Sequence, residues 1–187
     1  MGRHHVRNAR ATAGVDLVAL ADPGGDRYGV AGDLPVLGGV EELIEAGIDA
    51  AIIAAPTAHH EAAALALAEA GVHTLVEKPL ATSVEAGTRI RDAFASAGLV
   101  GAVGYVERCN PALIDMRRRI ASGQLGAIEQ IATRRQSPFP ARISDVGVVK
   151  DLATHDVDLA AWVAGAPYEA IYARTSTRSG RAHEDMM

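Results

Sequence analysis

The chain has few of the residues that mark several classes of protein. Its 187 residues include one cysteine, Cys109, so it forms no internal disulfide and offers no thiolate cluster for zinc. Basic residues number 18 against 23 acidic ones, and the formal net charge of -5 leaves little electrostatic footprint for DNA. No apolar run approaches the length that crosses a bilayer, and the first residues lack the apolar stretch of a signal peptide. These deficits predict a cytoplasmic protein that binds neither nucleic acid nor membrane.

Aromatic residues are also scarce, at 4%, while hydrophobic residues make up 49% of the chain. This balance predicts a core of small aliphatic side chains, as found where helices pack closely on a parallel sheet. Short apolar runs bounded by turn residues predict buried strands at 17–21, 50–54, 74–76 and 99–103. Helical patterns accompany them at 3–13, 40–46, 59–70 and 84–97. Thr82 and Glu85 have the spacing of a capping box at the start of the last helix. The alternation of strand and helix predicts a doubly wound α/β sheet.

The pattern changes near Tyr105. We predict a dinucleotide-binding domain over 1–105 and a second, α+β domain over 106–187. The expected elements of the second domain are a helix from Pro111 to about Gly123, a strand at 128–133 and a helix from Thr154 to about residue 164. Asn110 has the residue type of an N-cap for the first of these helices.

The predicted strand at 17–21 ends in Asp22. A dinucleotide-binding sheet places there the carboxylate that accepts hydrogen bonds from the adenosine ribose, and this carboxylate repels a 2'-phosphate. Asp22 therefore favours NAD over NADP. The alternative is that Asp22, followed by Pro23 and Gly24, only forms a turn. The complete glycine fingerprint is absent, and Gly2 stands at the start of the first helix, whose N-terminal N–H groups would meet the pyrophosphate.

A second polar turn follows the strand at 50–54, at the carboxyl edge where doubly wound proteins bind ligands. It contains Pro56 and Thr57, and Thr57 is expected to cap the next helix and to face the cofactor. The adjacent His59 and His60 cannot both point one way on a helix, so they do not predict a metal pair. His59 is expected at the surface, whereas His60 suits core packing and the cofactor site equally well.

A third turn, after the strand at 74–76, contains Glu77, Lys78 and Pro79. A charged pair that ends a buried apolar strand and precedes a proline differs from ordinary surface Glu-Lys spacing. Lys78 can reach a substrate hydroxyl, with its ammonium influenced by partial burial and by neighbouring groups. The alternative is a structural salt bridge.

Asp151 stands four residues before His155, so both lie on one face if the segment is helical. An Asp that holds one ring nitrogen fixes the tautomer and leaves the other nitrogen to take the proton of an alcohol. The pair therefore suits acid–base chemistry. Asp156 and Asp158 fit better as charges that complement the helix N-terminus.

Together these segments resemble the family of glucose-fructose oxidoreductase, inositol dehydrogenase and MocA (Gfo/Idh/MocA) across nearly the whole chain. The matching segments are Met1 to His5, Ala21-Asp22-Pro23, Pro56-Thr57 with His60, 71–79, Gly104-Tyr105 through Arg108, Asn110-Pro111, Ser122-Gly123 with Leu125-Gly126, and Asp151 with His155. Glu77-Lys78-Pro79 alone is a weak signal, but the whole set in this order is specific.

The resemblance implies a Rossmann-type, NAD-dependent oxidoreductase that takes hydride from a secondary hydroxyl of a sugar or nucleotide sugar. It implies that Lys78 and His155 flank the reacting hydroxyl and that Asp151 supports His155. The cofactor-binding residues that it implies are Gly2, Asp22, Pro56, Thr57, His60, Glu77, Lys78 and Pro79. Because the family commonly assembles through its second domain, the resemblance also implies a homodimer or homotetramer.

Within the family, the segments 133–135, 138–140, 142–143 and 145–156 look like the branch that oxidises UDP-N-acetylglucosamine at ring position three. Arg134, Arg135 and Arg142 suit a diphosphate, because guanidinium forks match phosphate oxygens. The alternative for each is a solvated charge at a strand edge. Arg108 and Asn110 complete the expected substrate-binding set, together with Lys78, Asp151 and His155.

The chain also departs from the family pattern. Cys109 stands where the family usually has Phe or Tyr, and the first strand, which is central in the order 3-2-1-4-5-6, is missing together with most of the glycine-rich loop. The second domain is expected to be incomplete. We therefore expect unpaired strand edges, weak stability and weak NAD affinity for the chain by itself. Two alternatives to a dehydrogenase are a non-catalytic NAD-sensing regulatory module, against which Lys78, Asp151 and His155 argue, and an inactive fragment.

Overall fold

The computed structural model describes residues 1–136, 146–180 and 182–187. The chain divides into two compact units, Met1–Gly104 and Tyr105–Met187. Among the described residues, no helix is both long enough and apolar enough to cross a membrane.

The first unit contains parallel strands where the sequence predicts them. Its strands are β1 (Leu20–Ala21), β2 (Val36–Leu37), β3 (Ala50–Ile53), β4 (His73–Val76) and β5 (Gly101–Val103). β1 pairs with β2, and β4 lies between β3 and β5, with every pairing parallel. The α/β prediction is confirmed, although β1 covers only part of the strand predicted at 17–21, and the short β2 is not predicted.

The strands of the first unit form two separate sheets. Among the described residues, β1 has only β2 as a strand neighbour, and the outer edge of β3 has no strand beside it. In the order 3-2-1-4-5-6, a further strand, which the sequence analysis finds missing, lies between the positions that β1 and β3 of this chain occupy. The gap between the two sheets therefore falls where we expect unpaired edges. Val18 and Ile52 are accordingly 49% and 44% exposed, although both belong to apolar segments.

Four helices accompany these strands: α1 (Gly2–Ala11), α2 (Val40–Glu45), α3 (His60–Glu69) and α4 (Val84–Ser96). The core that packs β3 and β4 against α3 and α4 includes the buried side chains of Ile53, Leu67, Val76, Ile90 and Phe94. Full burial of such a side chain contributes about 1.5–3 kcal/mol to stability. This packing holds the carboxyl ends of β3 and β4, where the candidate site begins.

The N-terminus of α4 differs by one residue from the prediction. The Ser83 hydroxyl accepts a hydrogen bond from the Ala86 amide at 3.2 Å, so the N-cap is Ser83 and not Thr82. An N-cap oxygen bonds the amide two or three residues later from an extended backbone, and Ser83 has that backbone. Spacing alone does not distinguish two adjacent hydroxyl residues.

The second unit contains helical elements among its described residues: a 3-10 turn Val106–Cys109, α5 (Pro111–Ala121), a π-helical turn Val149–Ala153 and α6 (Thr154–Ala164). α5 begins as predicted, because the Asn110 side chain accepts a hydrogen bond from the Ala112 amide at 3.0 Å and Pro111 occupies the first turn. α6 is followed by Gly165, whose φ of 69° is the left-handed conformation that closes many helices.

The strand predicted at 128–133 is wrong. These residues are exposed and pair with no described strand. Ile128 and Ile131 stay 38% and 37% exposed, so the alternating pattern buries no face here. Alternation predicts a strand only where a neighbouring strand or helix covers the apolar side.

Candidate active site

The turn after β4 places Lys78 beside a buried carboxylate. Glu77 is 4% exposed, and its Oε1 lies 2.6 Å from Nε2 of His5 in α1. Its Oε2 accepts a hydrogen bond from the Lys78 amide at 3.2 Å. Gly104 leaves room for this carboxylate, because a Cβ there would lie 3.0 Å from Cδ of Glu77. Glu77 therefore belongs to the scaffold that holds Lys78.

His60 connects the turn after β3 with the turn after β4. It is 1% exposed, with Nδ1 3.0 Å from the Pro79 carbonyl oxygen and Nε2 2.9 Å from the Ala55 carbonyl oxygen. Both ring nitrogens are thus engaged with the backbone, whereas His59 is exposed. This geometry favours core packing over cofactor contact for His60.

The residues before α3 adopt a short 3-10 turn, Thr57–His59, with Pro56 at its N-cap. Thr57 makes no side-chain cap hydrogen bond, and α3 begins only at His60. The prediction that Thr57 caps the helix is therefore wrong. The 3-10 turn has moved Thr57 away from the cap position, although it still follows β3 at the carboxyl edge of the sheet.

Asp22 directly follows β1 and is exposed. Its Oδ1 accepts a hydrogen bond from the Gly24 amide at 2.8 Å, so Asp22 does form the turn that was its alternative reading. At the other end of the expected cofactor site, Gly2 is the first residue of α1, and the first turn of this helix contains no acidic residue. The first turn of α1 therefore supplies no carboxylate of its own to compete for its free N–H groups.

The second unit contains the other residues predicted for acid–base chemistry. Asp151 lies in the π-helical turn Val149–Ala153, and His155 lies in the first turn of α6, so one continuous helical segment carries both. The Nδ1 atom of His155 is buried. Glu184 accepts a hydrogen bond from the Val149 amide at 3.1 Å and so holds the start of this segment. π-helical turns are rare and occur often at functional sites.

Arg108 and Asp158 form a two-pronged ion pair between the 3-10 turn and α6. The Nε–Oδ2 distance is 2.8 Å and the Nη2–Oδ1 distance is 2.5 Å. The hydrogen bond to Asp158 raises the pKa of Arg108, and burial, followed by the charge of Asp158, raises the pKa of Tyr105. Asp158 thus anchors the helix that carries His155 to the turn before α5.

Two carboxylates hold the Arg135 guanidinium. Its Nε lies 3.1 Å from Oδ2 of Asp156, and its Nη1 lies 3.2 Å from Oε1 of Glu107. The hydrogen bond to Asp156, together with smaller contributions from Glu107, raises the pKa of Arg135. This geometry favours a structural ion pair over a diphosphate contact. Arg134 is exposed, and Arg142 lies outside the described residues.

His5 is a site residue that the sequence pattern does not reveal. Its contact with Glu77 joins residues 72 positions apart, which no local spacing predicts. One signal was available: Glu77 follows a buried strand, and a buried carboxylate requires a charged or hydrogen-bonding partner. The partner's identity depends on how α1 packs in three dimensions.

Comparison with known proteins agrees with the two-part division of these residues. A family model described as "Oxidoreductase family, NAD-binding Rossmann fold" (GFO_IDH_MocA) matches residues 1–105, and one described as "GFO/IDH/MocA C-terminal domain" matches residues 113–187. The chain belongs to the Gfo/Idh/MocA family. The first match supports NAD as the cofactor that this Rossmann domain is built to bind.

Relatives in the Gfo/Idh/MocA family carry the names of inositol and nucleotide-sugar dehydrogenases. Inositol 2-dehydrogenase 2 of Saccharopolyspora erythraea is 31% identical over 99% of this chain and 57% of its own length. UDP-N-acetylglucosamine 3-dehydrogenase of Acidithiobacillus ferrooxidans is 32% identical over 89% of this chain and 52% of its own length. The chain spans about half the length of the curated relatives that it matches.

Solved structures of Gfo/Idh/MocA proteins share the fold. The UDP-N-acetylglucosamine 3-dehydrogenase GnnA from Acidithiobacillus ferrooxidans has a TM-score of 0.82 and 29% identity, covering 95% of this chain and 57% of that one. The WlbA dehydrogenase from Bordetella pertussis, solved in complex with NADH and UDP-GlcNAcA, has a TM-score of 0.81 and 27% identity. The match covers 99% of this chain and 62% of the WlbA chain.

Proposed function

We propose that the chain is part of an NAD-dependent dehydrogenase that oxidises a secondary hydroxyl of a sugar or nucleotide sugar. In this proposal residues 1–105 bind NAD, and residues 106–187 supply the acid–base pair and part of the substrate site. The observation that carries the proposal is the placement of Asp151 and His155 on one helical segment that contains a π-helical turn, in a chain of the Gfo/Idh/MocA family.

The residues of the first unit fit a dinucleotide. Asp22 is exposed directly after β1, where its carboxylate would accept hydrogen bonds from the adenosine ribose. The first amides of α1, beginning at Gly2, would face the pyrophosphate, because no acidic side chain occupies that helix turn. Pro56, Thr57 and Pro79 would border the cofactor from the turns after β3 and β4.

The proposed proton transfer uses three side chains. NAD, when bound, would accept the hydride from the carbon that bears the hydroxyl. His155 would take the proton of that hydroxyl, and Asp151 would hold the imidazole in the tautomer that accepts it. Lys78 would polarise the same hydroxyl with its ammonium group, which the anchored turn after β4 presents from a fixed backbone.

The substrate class is a further part of the proposal. Inositol and UDP-N-acetylglucosamine, which occur in the names of relatives, both carry secondary hydroxyls. Arg134 and Arg142 remain proposed contacts for a diphosphate.

We further propose a cytoplasmic homodimer or homotetramer, supported by Ile171 and Tyr172, which are 74% and 92% exposed and leave apolar surface to cover. Light scattering of the purified protein tests the assembly, and a purely monomeric species would contradict it.

The Lys78→Met variant tests the assignment. We expect NADH formation with inositol, UDP-N-acetylglucosamine or hexoses to fall by about 10²-fold or more, because removing one preorganised polarising group costs about 10²–10³-fold in rate. NADH binding, followed by its fluorescence, should stay close to that of the parent chain. Arg91→Met is the matched control, because Arg91 is an exposed cation on α4 that pairs with the adjacent Asp92.

Each outcome of this experiment has a defined meaning. Parent-level turnover in Lys78→Met would remove Lys78 from the mechanism. Tight NADH binding by the parent chain without turnover of any tested sugar would favour the NAD-sensing module over the dehydrogenase.

A further inference from the structure

We propose that His5 and His60 are positioning residues that brace Lys78 from both sides, and that His60 does so as an imidazolium that donates from both ring nitrogens. The brace itself is independent of the enzymatic assignment. Only its consequence for catalysis rests on the proposed function of Lys78.

The protonation of His60 follows from its two partners. Nδ1 and Nε2 lie 3.0 Å and 2.9 Å from the carbonyl oxygens of Pro79 and Ala55, and a carbonyl oxygen can only accept a hydrogen bond. A neutral imidazole has one N–H and would point a lone pair at one of these oxygens. The imidazolium satisfies both, and bulk water does not reach the ring, because His60 is only 1% exposed.

Two of the elements that carry His60 or its hydrogen-bond partners also carry charged residues. Its own helix, α3, contributes Glu61, which pairs with Arg89 of α4 at 2.6 Å. The turn after β4 contributes the buried carboxylate of Glu77 and the ammonium of Lys78.

The brace acts on the backbone on either side of Lys78. On one side the Glu77 carboxylate, held by His5 at 2.6 Å, accepts the Lys78 amide hydrogen at 3.2 Å. On the other side the Pro79 carbonyl is held by His60. The Lys78 side chain thus leaves the backbone from a point fixed by α1 and α3, which lie far from it in the sequence. Misplacing a reacting group by about 1 Å can lower a rate by about 10²-fold.

The test of protonation uses the unmodified chain labelled with ¹⁵N. Long-range ¹H–¹⁵N correlation spectra, recorded from mildly acidic to mildly alkaline pH, distinguish a doubly protonated ring from either neutral tautomer. We expect the His60 ring to give the doubly protonated pattern, because both of its nitrogens face carbonyl oxygens. A single-tautomer pattern for His60 at neutral pH would overturn the inference. His59 is the internal control, because it is the adjacent residue and exposed.

Variants test the mechanical part of the brace. His60→Gln keeps an amide that can donate to one carbonyl but presents an acceptor to the other, and His5→Gln keeps a donor for Glu77. We expect His60→Gln to lower kcat by up to about 10²-fold while the KM for NAD changes less. His59→Gln should match the parent. Equal kcat for His60→Gln and the parent would remove the positioning role.

The two experiments separate this inference from the proposed function. A doubly protonated His60 in a chain whose Lys78→Met variant keeps full turnover would leave the brace intact and defeat the dehydrogenase mechanism. A neutral His60 in a chain whose turnover depends on Lys78 would overturn the inference about His60 and leave the proposed function standing.

Discussion

The Gly104→Ala substitution gives a quantitative test of how firmly the carboxylate beside Lys78 is held. A Cβ at Gly104 would lie 3.0 Å from both Cδ and Oε2 of Glu77 and 3.2 Å from Oε1. Glu77 is unable to retreat without lengthening its 2.6 Å contact with His5. Inserting a methyl group into such a packed position destabilises by about 1–3 kcal/mol. The φ of Gly104 is not positive, so the loss would come from this contact and not from backbone strain.

Gly87→Ala is the matched control and should have the opposite sign. Gly87 lies inside α4, where an added Cβ would meet Leu80 Cδ2 at 3.7 Å and Ala81 Cβ at 4.0 Å, which is ordinary van der Waals contact. Replacing a helix-interior glycine with alanine stabilises by up to about 1 kcal/mol. Thermal melts followed by circular dichroism measure both changes, at about 2–4 °C per kcal/mol for a chain of this size. If Gly104→Ala melts at or above the parent temperature while Gly87→Ala is stabilised, Glu77 is not held as argued.

Two further predictions concern carboxylates outside this turn. Burial, and then the charge of Asp158, raise the pKa of Tyr105. Asp158→Asn should therefore lower the pKa of Tyr105, measured by ultraviolet absorbance of the phenolate. An unchanged titration would contradict the influence of Asp158. The amides of Ala31 and then Val30 lower the pKa of Asp26, so its contribution to stability is present above its unfolded pKa and is lost as pH falls through the lower folded value. Asp26→Asn should therefore make the free energy of unfolding depend less on pH below about pH 4, where an unperturbed Asp titrates. Identical acid profiles for variant and parent would refute this.

Local signals in the sequence predict most elements of the first unit. Apolar runs locate β3, β4 and β5, because a short apolar segment bounded by turn residues is a local signal. β2 escapes prediction, since the two residues Val36 and Leu37 become a strand only by pairing with Leu20 and Ala21. The pattern at 128–133 fails for the opposite reason, because it requires a partner that the described residues do not provide.

The candidate site divides in the same way. Glu77, Lys78 and Pro79 are predictable because a charged pair at the end of a buried strand is unusual in the sequence itself. The contacts of Glu77 with His5, and of His60 with the turn after β4, are not predictable, since they join segments separated by 72 and 19 residues. Sequence spacing identifies the groups proposed to react, and tertiary packing identifies the groups that hold them.

The ion pairs of Arg135 bear on the proposed diphosphate contact but not on the proposed proton transfer. A diphosphate could use this guanidinium only by displacing Glu107 and Asp156, and both carboxylates would repel the incoming phosphates. Asp156 also directly follows His155, so moving it would disturb the helix turn that carries the proposed proton acceptor. The proposed proton transfer at a substrate hydroxyl needs none of these displacements. Among the described residues, the ion pairs of the second unit therefore fit a role in fixing α6 better than a role in recognising a diphosphate.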